Sequence, residues 1–183
     1  AMHFALNFKN KPFLGVVLIP EKEELWIANG ESVWCENRNK TIRKFNLEVK
    51  NSLSNMTLVT SKNHGNPTLM KFIKNSNFER VIKMGSIGCK IAAIIRGECD
   101  IYIGLSLPSK SSPKDWDFAA PEAILKAAGG EITNLHNQEL IYGQKNFEQR
   151  GIIIASNNKK MHKDICLQIK ETILENNLYP LNC

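Results

Sequence analysis

Nothing in this 183-residue sequence approaches the apolar length needed to span a bilayer, and its opening, AMHFALNFKN, contains no secretory h-region. No membrane partner is expected, and the cytoplasm is the expected compartment. A disulfide framework is missing too. The five cysteines (Cys35, Cys89, Cys99, Cys166 and Cys183) are odd in number and scattered, with no C-x-x-C pair. They read as reduced thiols packed as small apolar groups. There is no G-x-S-x-G elbow and no Walker-type loop. His3, His136 and His162 have no partners at metal-ligand spacing, which argues against a zinc site. Internal repeats and low-complexity tracts are absent as well.

What the chain does have in excess is positive charge. Its formal net charge is +6, which suits an anionic partner such as a phosphate ester or a nucleic acid. The basic residues are densest in NRNKTIRKFNLEVK, with Arg38, Lys40, Arg43, Lys44 and Lys50. Phe45 is the one aromatic there, so the run reads as a solvated linker or strand edge, and no nucleic-acid partner is expected. The hydrophobic share of 43% and charged share of 23% are ordinary for a globular protein. The length suffices for one domain with a sizeable core, or one core with a small appendage.

The pattern along the chain changes once. HFALNFKNKPFLGVVLIP runs in strand-like fashion through a KNKP turn, ELWIANG reads as a partner strand, and NG turns into ESVWCE. Residues 1–50 are therefore expected to form an antiparallel meander. The polar, basic stretch 37–55 marks the boundary. Over residues 51–183 strands alternate with helices: MTLVTS, NPTLMKFIKN, RVIKM, SIGCKIAAIIR, CDIYIGL, PKDWDFAAPEAILKAAGG, GIIIAS and a long terminal helix. That alternation predicts α/β/α layers around a mixed sheet. In the sixth of these segments Ala120, Ala123, Ile124 and Ala127 fall on one helix face, with Asp117 just ahead of the helix and Pro121 in its first turn.

Four short segments gather chemistry at predicted strand ends or helix starts, where α/β folds place ligands: TSKNH, GSIGCK, SLPSKSSPK and DWD. Hydroxyls, one imidazole, ammonium groups and two carboxylates together suit an anionic phosphorylated substrate beside a hard cation. Read alone, each has a plainer role. Asp117 serves as a helix cap, Ser86 opens a capped helix with Lys90 solvated one turn on, His64 is a loop residue, and Trp116 is a core anchor.

The same segments resemble a known family. WDFAAPEAILKAAGG resembles the second signature of the inositol-monophosphatase superfamily. GSIGCKIAAIIRGECDIYI and the Ser-x-x-His of TSKNH resemble its 3′(2′),5′-bisphosphate nucleotidase branch, the CysQ type, and GVVLIPEKEELWIANG resembles the hairpin before them. The resemblance implies a Mg²⁺-dependent phosphomonoesterase that converts adenosine 3′,5′-bisphosphate to AMP and phosphate in sulfate assimilation. It implies that Asp117 is a metal ligand, and that Ser61, His64, Ser86 and Lys90 contact a small phosphorylated substrate, a nucleotide.

The departures from the family pattern carry as much weight. The first signature, Asp-Pro-Ile/Leu-Asp-Gly-Thr, and an earlier metal-binding Glu are absent. Both supply carboxylates to the metals, so the chain reads as the later two-thirds of the fold, with the meander a remnant of an N-terminal domain. This chain alone is expected to have very little phosphatase activity. An Arg that often follows the Asp-x-Tyr strand is replaced near its place by Gly104, and Lys110 or Lys114 stands in for it. Two alternatives stay open: an inositol or sugar phosphatase, and a non-catalytic anion-binding or interaction domain. An exposed sheet surface left by the missing part is expected to drive self-association.

Overall fold

The structure is a computed structural model that describes residues 1–38, 40–45, 47–62, 67–106 and 112–178. Strands β1 (Met2–Phe8), β2 (Lys11–Ile19), β3 (Glu24–Asn29), β4 (Val33–Asn37) and β5 (Lys40–Ile42) form one antiparallel sheet in that order. Lys9 and Asn10 both take positive φ, 49° and 59°, which gives the two-residue turn that matches strand twist between β1 and β2. The β5 strand lies in the basic run, is exposed throughout, and forms the sheet edge, the second of the two readings given for that run. Its neighbourhood is anchored rather than loose: Phe45 packs on Trp26 with ring centroids 5.3 Å apart.

The second sheet has the order β7-β6-β8-β10-β9, built from β6 (Thr57–Ser61), β7 (Arg80–Met84), β8 (Ile101–Ser106), β9 (Glu131–Asn134) and β10 (Gly151–Ser156). β6 runs parallel to β7 and β8, while β10 is antiparallel to β8 and β9. Helices α1 (Pro67–Asn75), α2 (Ile87–Ile95), α3 (Asp115–Ala127) and α4 (Lys159–Glu175) complete the fold. The expected α/β/α layers around a mixed sheet, preceded by an antiparallel sheet, are present. β9 escaped the sequence reading because four residues, EITN, carry too little periodicity to register.

Alternation along the strands sorts the core into two layers. Leu58, Ile101, Ile103, Ile152 and Ile154 face one way, with Phe72 of α1 and Ile165 and Ile169 of α4. Val59, Tyr102, Ile153 and Ala155 face the other way, with α2 and α3, and the same cluster continues into Val17, Trp26, Ala28 and Cys35 of the first sheet. α2 and α3 thus lie between two sheets. This placement corrects the one-sided reading of α3. Every residue from Phe118 to Leu125 is buried, because the helix is covered on both sides, and Ala127 is only half-buried. At Gly15 the backbone of β2 passes so close to α3 that a Cβ would meet the Ala120 carbonyl at 2.6 Å, so no larger residue fits there.

The other side of the first sheet has no such cover among the described residues. Phe4, Val16, Ile27 and Trp34 lie opposite one another across β1 to β4. Met2, Phe4 and Leu6 are each more than half exposed.

Candidate functional site

Parallel strands deliver their carboxyl ends to one edge of a sheet, and helices that follow begin there. In this chain that edge holds a cavity of about 280 Å³. Thr60 and Ser61 close β6, Gly104 to Ser106 close β8, and Ser86 and Asp117 stand at the starts of α2 and α3. The amino-terminal ends of two helices, where the helix dipole is positive, therefore border this cavity. Ser86 has φ of +49°, an unusual conformation for a residue with a side chain, and its hydroxyl does not cap α2.

Lys90 lies one turn into α2 and is 2% exposed. Its ammonium donates to the Ser86 carbonyl at 3.1 Å and lies 5.6 Å from the centroid of the Tyr102 ring. Burial pulls its pKa down to about 8, opposed by the charges of Cys89 and Asp117. The plain reading of a solvated lysine is thereby corrected: the sequence sees helix spacing, but not the sheet that covers α2. Gly104 has a packing role here. The Tyr102 hydroxyl occupies the space a side chain at position 104 would need.

Asp117 belongs to the first turn of α3, which begins at Asp115, rather than preceding the helix. Pro121 accordingly lies in the second turn. The N-cap position falls to Lys114, and the Oδ2 of Asp117, third in the helix, accepts the Lys114 backbone N–H at 2.8 Å, which corrects the N-cap read at Asp117 to the acidic member of a capping box. Asp117 also lines the cavity, as its one carboxylate among the described residues. No group of three or more carboxylate, imidazole or thiolate side chains gathers to hold a metal among the described residues. Mg²⁺ requires a near-octahedral shell of hard oxygens, usually with more than one anionic group. The described residues do not by themselves fit such an ion.

The remaining expected contacts divide three ways. Ser61 and Ser86 line the cavity with Lys90. His64 and Lys110 lie outside the described residues. Lys114 does not line the cavity: its ammonium bonds Glu148 at 3.0 Å and the Asn146 carbonyl at 3.1 Å. Trp116 is 60% exposed and packs on Phe147 instead of anchoring a core. Asp115 ties down the neighbouring loop, accepting from the Gly143 N–H and the Gln149 amide, each at 2.7 Å.

Two residues near the site escaped sequence reasoning. His3 reaches from β1 to Ser86 Oγ at 3.3 Å and to the Trp116 carbonyl at 3.4 Å, linking the first sheet to the starts of both helices. Burial lowers its pKa, partly offset by the Trp116 bond. No signal at position 3 announces partners 83 and 113 residues away. Ser112 lines the cavity at 4% exposure, and its hydroxyl has no hydrogen-bond partner among the described residues. In sequence it is one serine among several in a Ser/Pro/Lys loop.

The family model described as inositol monophosphatase family matches residues 1–174. A Dictyostelium discoideum protein named 3′(2′),5′-bisphosphate nucleotidase 1 is 25% identical over 181 residues, covering 90% of this chain and 56% of its own. The Buchnera aphidicola 3′(2′),5′-bisphosphate nucleotidase CysQ is 30% identical over 131 residues, 72% of this chain and 46% of its own. A Thermotoga maritima IMPase structure superposes with a TM-score of 0.68 at 22% identity, covering 94% of this chain and 61% of that one. The chain thus spans about half the length of these curated relatives.

Proposed function

From a chain that belongs to the inositol monophosphatase family, we propose a cavity that receives a small phosphorylated nucleotide of the adenosine 3′,5′-bisphosphate or AMP type. One observation carries this reading. A buried ammonium, Lys90, opens with Ser86 and Ser61 onto a single cavity at the carboxyl edge of the sheet. A cation in such a place suits a phosphate group, since charge-assisted hydrogen bonds strengthen where water is excluded. The names of the curated relatives support the nucleotide over an inositol or sugar phosphate.

The family reaction is hydrolysis of a phosphate monoester. Divalent Mg²⁺ would supply an activated water and neutralise phosphoryl charge there. Asp117 would be one ligand of such an ion, and further carboxylates would have to come from outside the described residues. In this proposal the chain alone binds its ligand and releases phosphate only near the uncatalysed rate. Ser86 and Lys90 orient the phosphate, and Tyr102 walls the cavity beside them. The free thiols among the described cysteines support the cytoplasm as the compartment.

Isothermal titration with AMP and with adenosine 3′,5′-bisphosphate, each with and without Mg²⁺, tests the reading. Binding that survives chelation is expected, together with phosphate release near blank. Tighter binding of an inositol or sugar phosphate than of either nucleotide would transfer the site to those substrates. Brisk Mg²⁺-dependent turnover would refute the inactivity of the isolated chain.

The open face of the first sheet adds a proposal of weak self-association. Four strands about 4.8 Å apart and five residues of about 3.4 Å each give a footprint of roughly 320 Å² per copy. That is well below the roughly 800 Å² per partner of a stable interface. Association is therefore expected only at high concentration, and sedimentation velocity showing one monomer at every concentration would end the proposal.

A further inference from the structure

Among the described residues, one fully buried side-chain hydroxyl has no hydrogen-bond partner. Thr60 donates to the Ile103 carbonyl at 3.1 Å, Ser76 to the Phe72 carbonyl at 2.8 Å, and Thr133 to the Asn134 carbonyl at 2.8 Å. Ser156 is bonded to His162 at 2.7 Å. Ser112 is as deeply covered as these, yet its Oγ is the one buried side-chain oxygen or nitrogen without a partner among the described residues. A hydroxyl removed from water and left unpaired is unfavourable, so such a group marks a place where a partner is missing.

The surroundings say which side the partner comes from. The segment after Ser112 satisfies its other polar groups internally. Lys114 is held by Glu148 and the Asn146 carbonyl, and Asp115 by Gly143 and Gln149. Ser112 instead lines the cavity shared with Lys90, Ser86 and Asp117. A serine hydroxyl donates one hydrogen bond, and beside a buried ammonium the matching acceptor is an anionic oxygen.

We propose that Ser112 is a ligand-binding residue, donating its hydroxyl hydrogen to a phosphoryl oxygen of the ligand that Lys90 also holds. This rests on the reading of the cavity as a phosphate-ester site and adds a contact from Ser112, just ahead of α3, to those from α2. The hydroxyl has no partner among the described residues and gains one when the ligand enters.

The test compares wild type with Ser112→Ala by isothermal titration with AMP and with inorganic phosphate, and by thermal melting without ligand. The expected result is AMP and phosphate affinity reduced about tenfold in the variant, the size of one hydrogen bond to a charged group. The melting temperature should be unchanged or slightly raised, because the substitution removes an unpaired polar atom. Equal affinity in the two proteins would overturn the assignment, with water as the hydroxyl's only partner, while leaving the cavity reading intact. A clearly lowered melting temperature would overturn it as well, by showing a structural bond. If wild type binds neither AMP nor phosphate, the cavity reading and this assignment fall together.

Discussion

The two ends of the mixed sheet handle charge in opposite ways. At the amino ends of β6 and β8, Asp100 accepts from the Thr57 N–H at 2.7 Å and from Lys50 at 3.1 Å. Arg96 bonds both Glu24 and Glu98 at 2.7 Å. His162 lies toward that end too, between Thr133 and Ser156 at 2.8 and 2.7 Å. At the carboxyl end, among the described residues, Lys90 is hydrogen-bonded to a backbone carbonyl beside the Tyr102 ring, with no carboxylate in an ion pair, and Ser112 has no hydrogen-bond partner. Both ends are polar, so polarity alone does not mark a site. Incomplete pairing around a cavity does, because buried groups cost free energy until something completes them.

Breaking the paired end should cost the fold most. Asp100→Ala leaves the Thr57 N–H and the Lys50 ammonium without their acceptor, and a loss of about 3 kcal/mol is expected. Urea unfolding measures it, and AMP affinity of the folded fraction should hold within about twofold. A variant as stable as wild type would contradict the contrast.

A loss of nearly the same size is expected from acid. His162 is buried between two hydroxyls, that of Thr133 2.8 Å from Nε2 and that of Ser156 2.7 Å from Nδ1. Burial lowers the His162 pKa from 6.5 to about 4, with Glu131 opposing and Lys126 reinforcing. Between those values the unfolded chain binds a proton that the folded one refuses. Stability from this group is complete above pH 6.5 and falls toward pH 4, by about 3 kcal/mol in total. Urea midpoints across this range for wild type and His162→Gln check it. An unchanged pH slope in the variant would remove His162 as the cause.

At the open end the effect should fall on binding instead. Lys90→Met is expected to weaken AMP about 100-fold. Its stability should not drop, since an apolar chain replaces a buried ammonium that has no carboxylate partner. In wild type the affinity should decline as pH rises past about 8, where Lys90 loses its proton. Titrations at pH 7 and pH 9.5 that agree would argue against the ammonium as the anchor.

Asp117 sits between the two cases, lining the cavity while capping its own helix. Asp117→Ala should cost about 1 kcal/mol of stability and Asp117→Asn a few tenths, as expected for a cap whose acceptor is removed or kept. A null effect of the alanine variant on the urea midpoint would free the carboxylate for ligands alone.

Legibility followed the range of the interactions. The hairpins, the mixed-sheet strands of five or more residues and all four helices were readable because periodicity and turn residues act within a few positions. β9 was not, and the bounds of β5 within the basic run were not, both being short segments fixed only by their neighbours. Ser86, Lys90 and Asp117 were legible as a set through their resemblance to a family pattern, while the exact place of Asp117 in its helix was not, since the helix starts two residues before it. The burial of Lys90 was hidden, because α2 is covered by elements distant in the chain.

By itself, then, the sequence determined the layer order, the family and which helix starts carry polar groups. Each of these is written in local pattern or in a recurring motif. Tertiary structure alone decided that Lys114 turns to Glu148, that His3 joins β1 to two helix starts, and that Ser112 is left without a partner. Such outcomes depend on which side chains meet across the fold, and a one-dimensional pattern does not encode those distances.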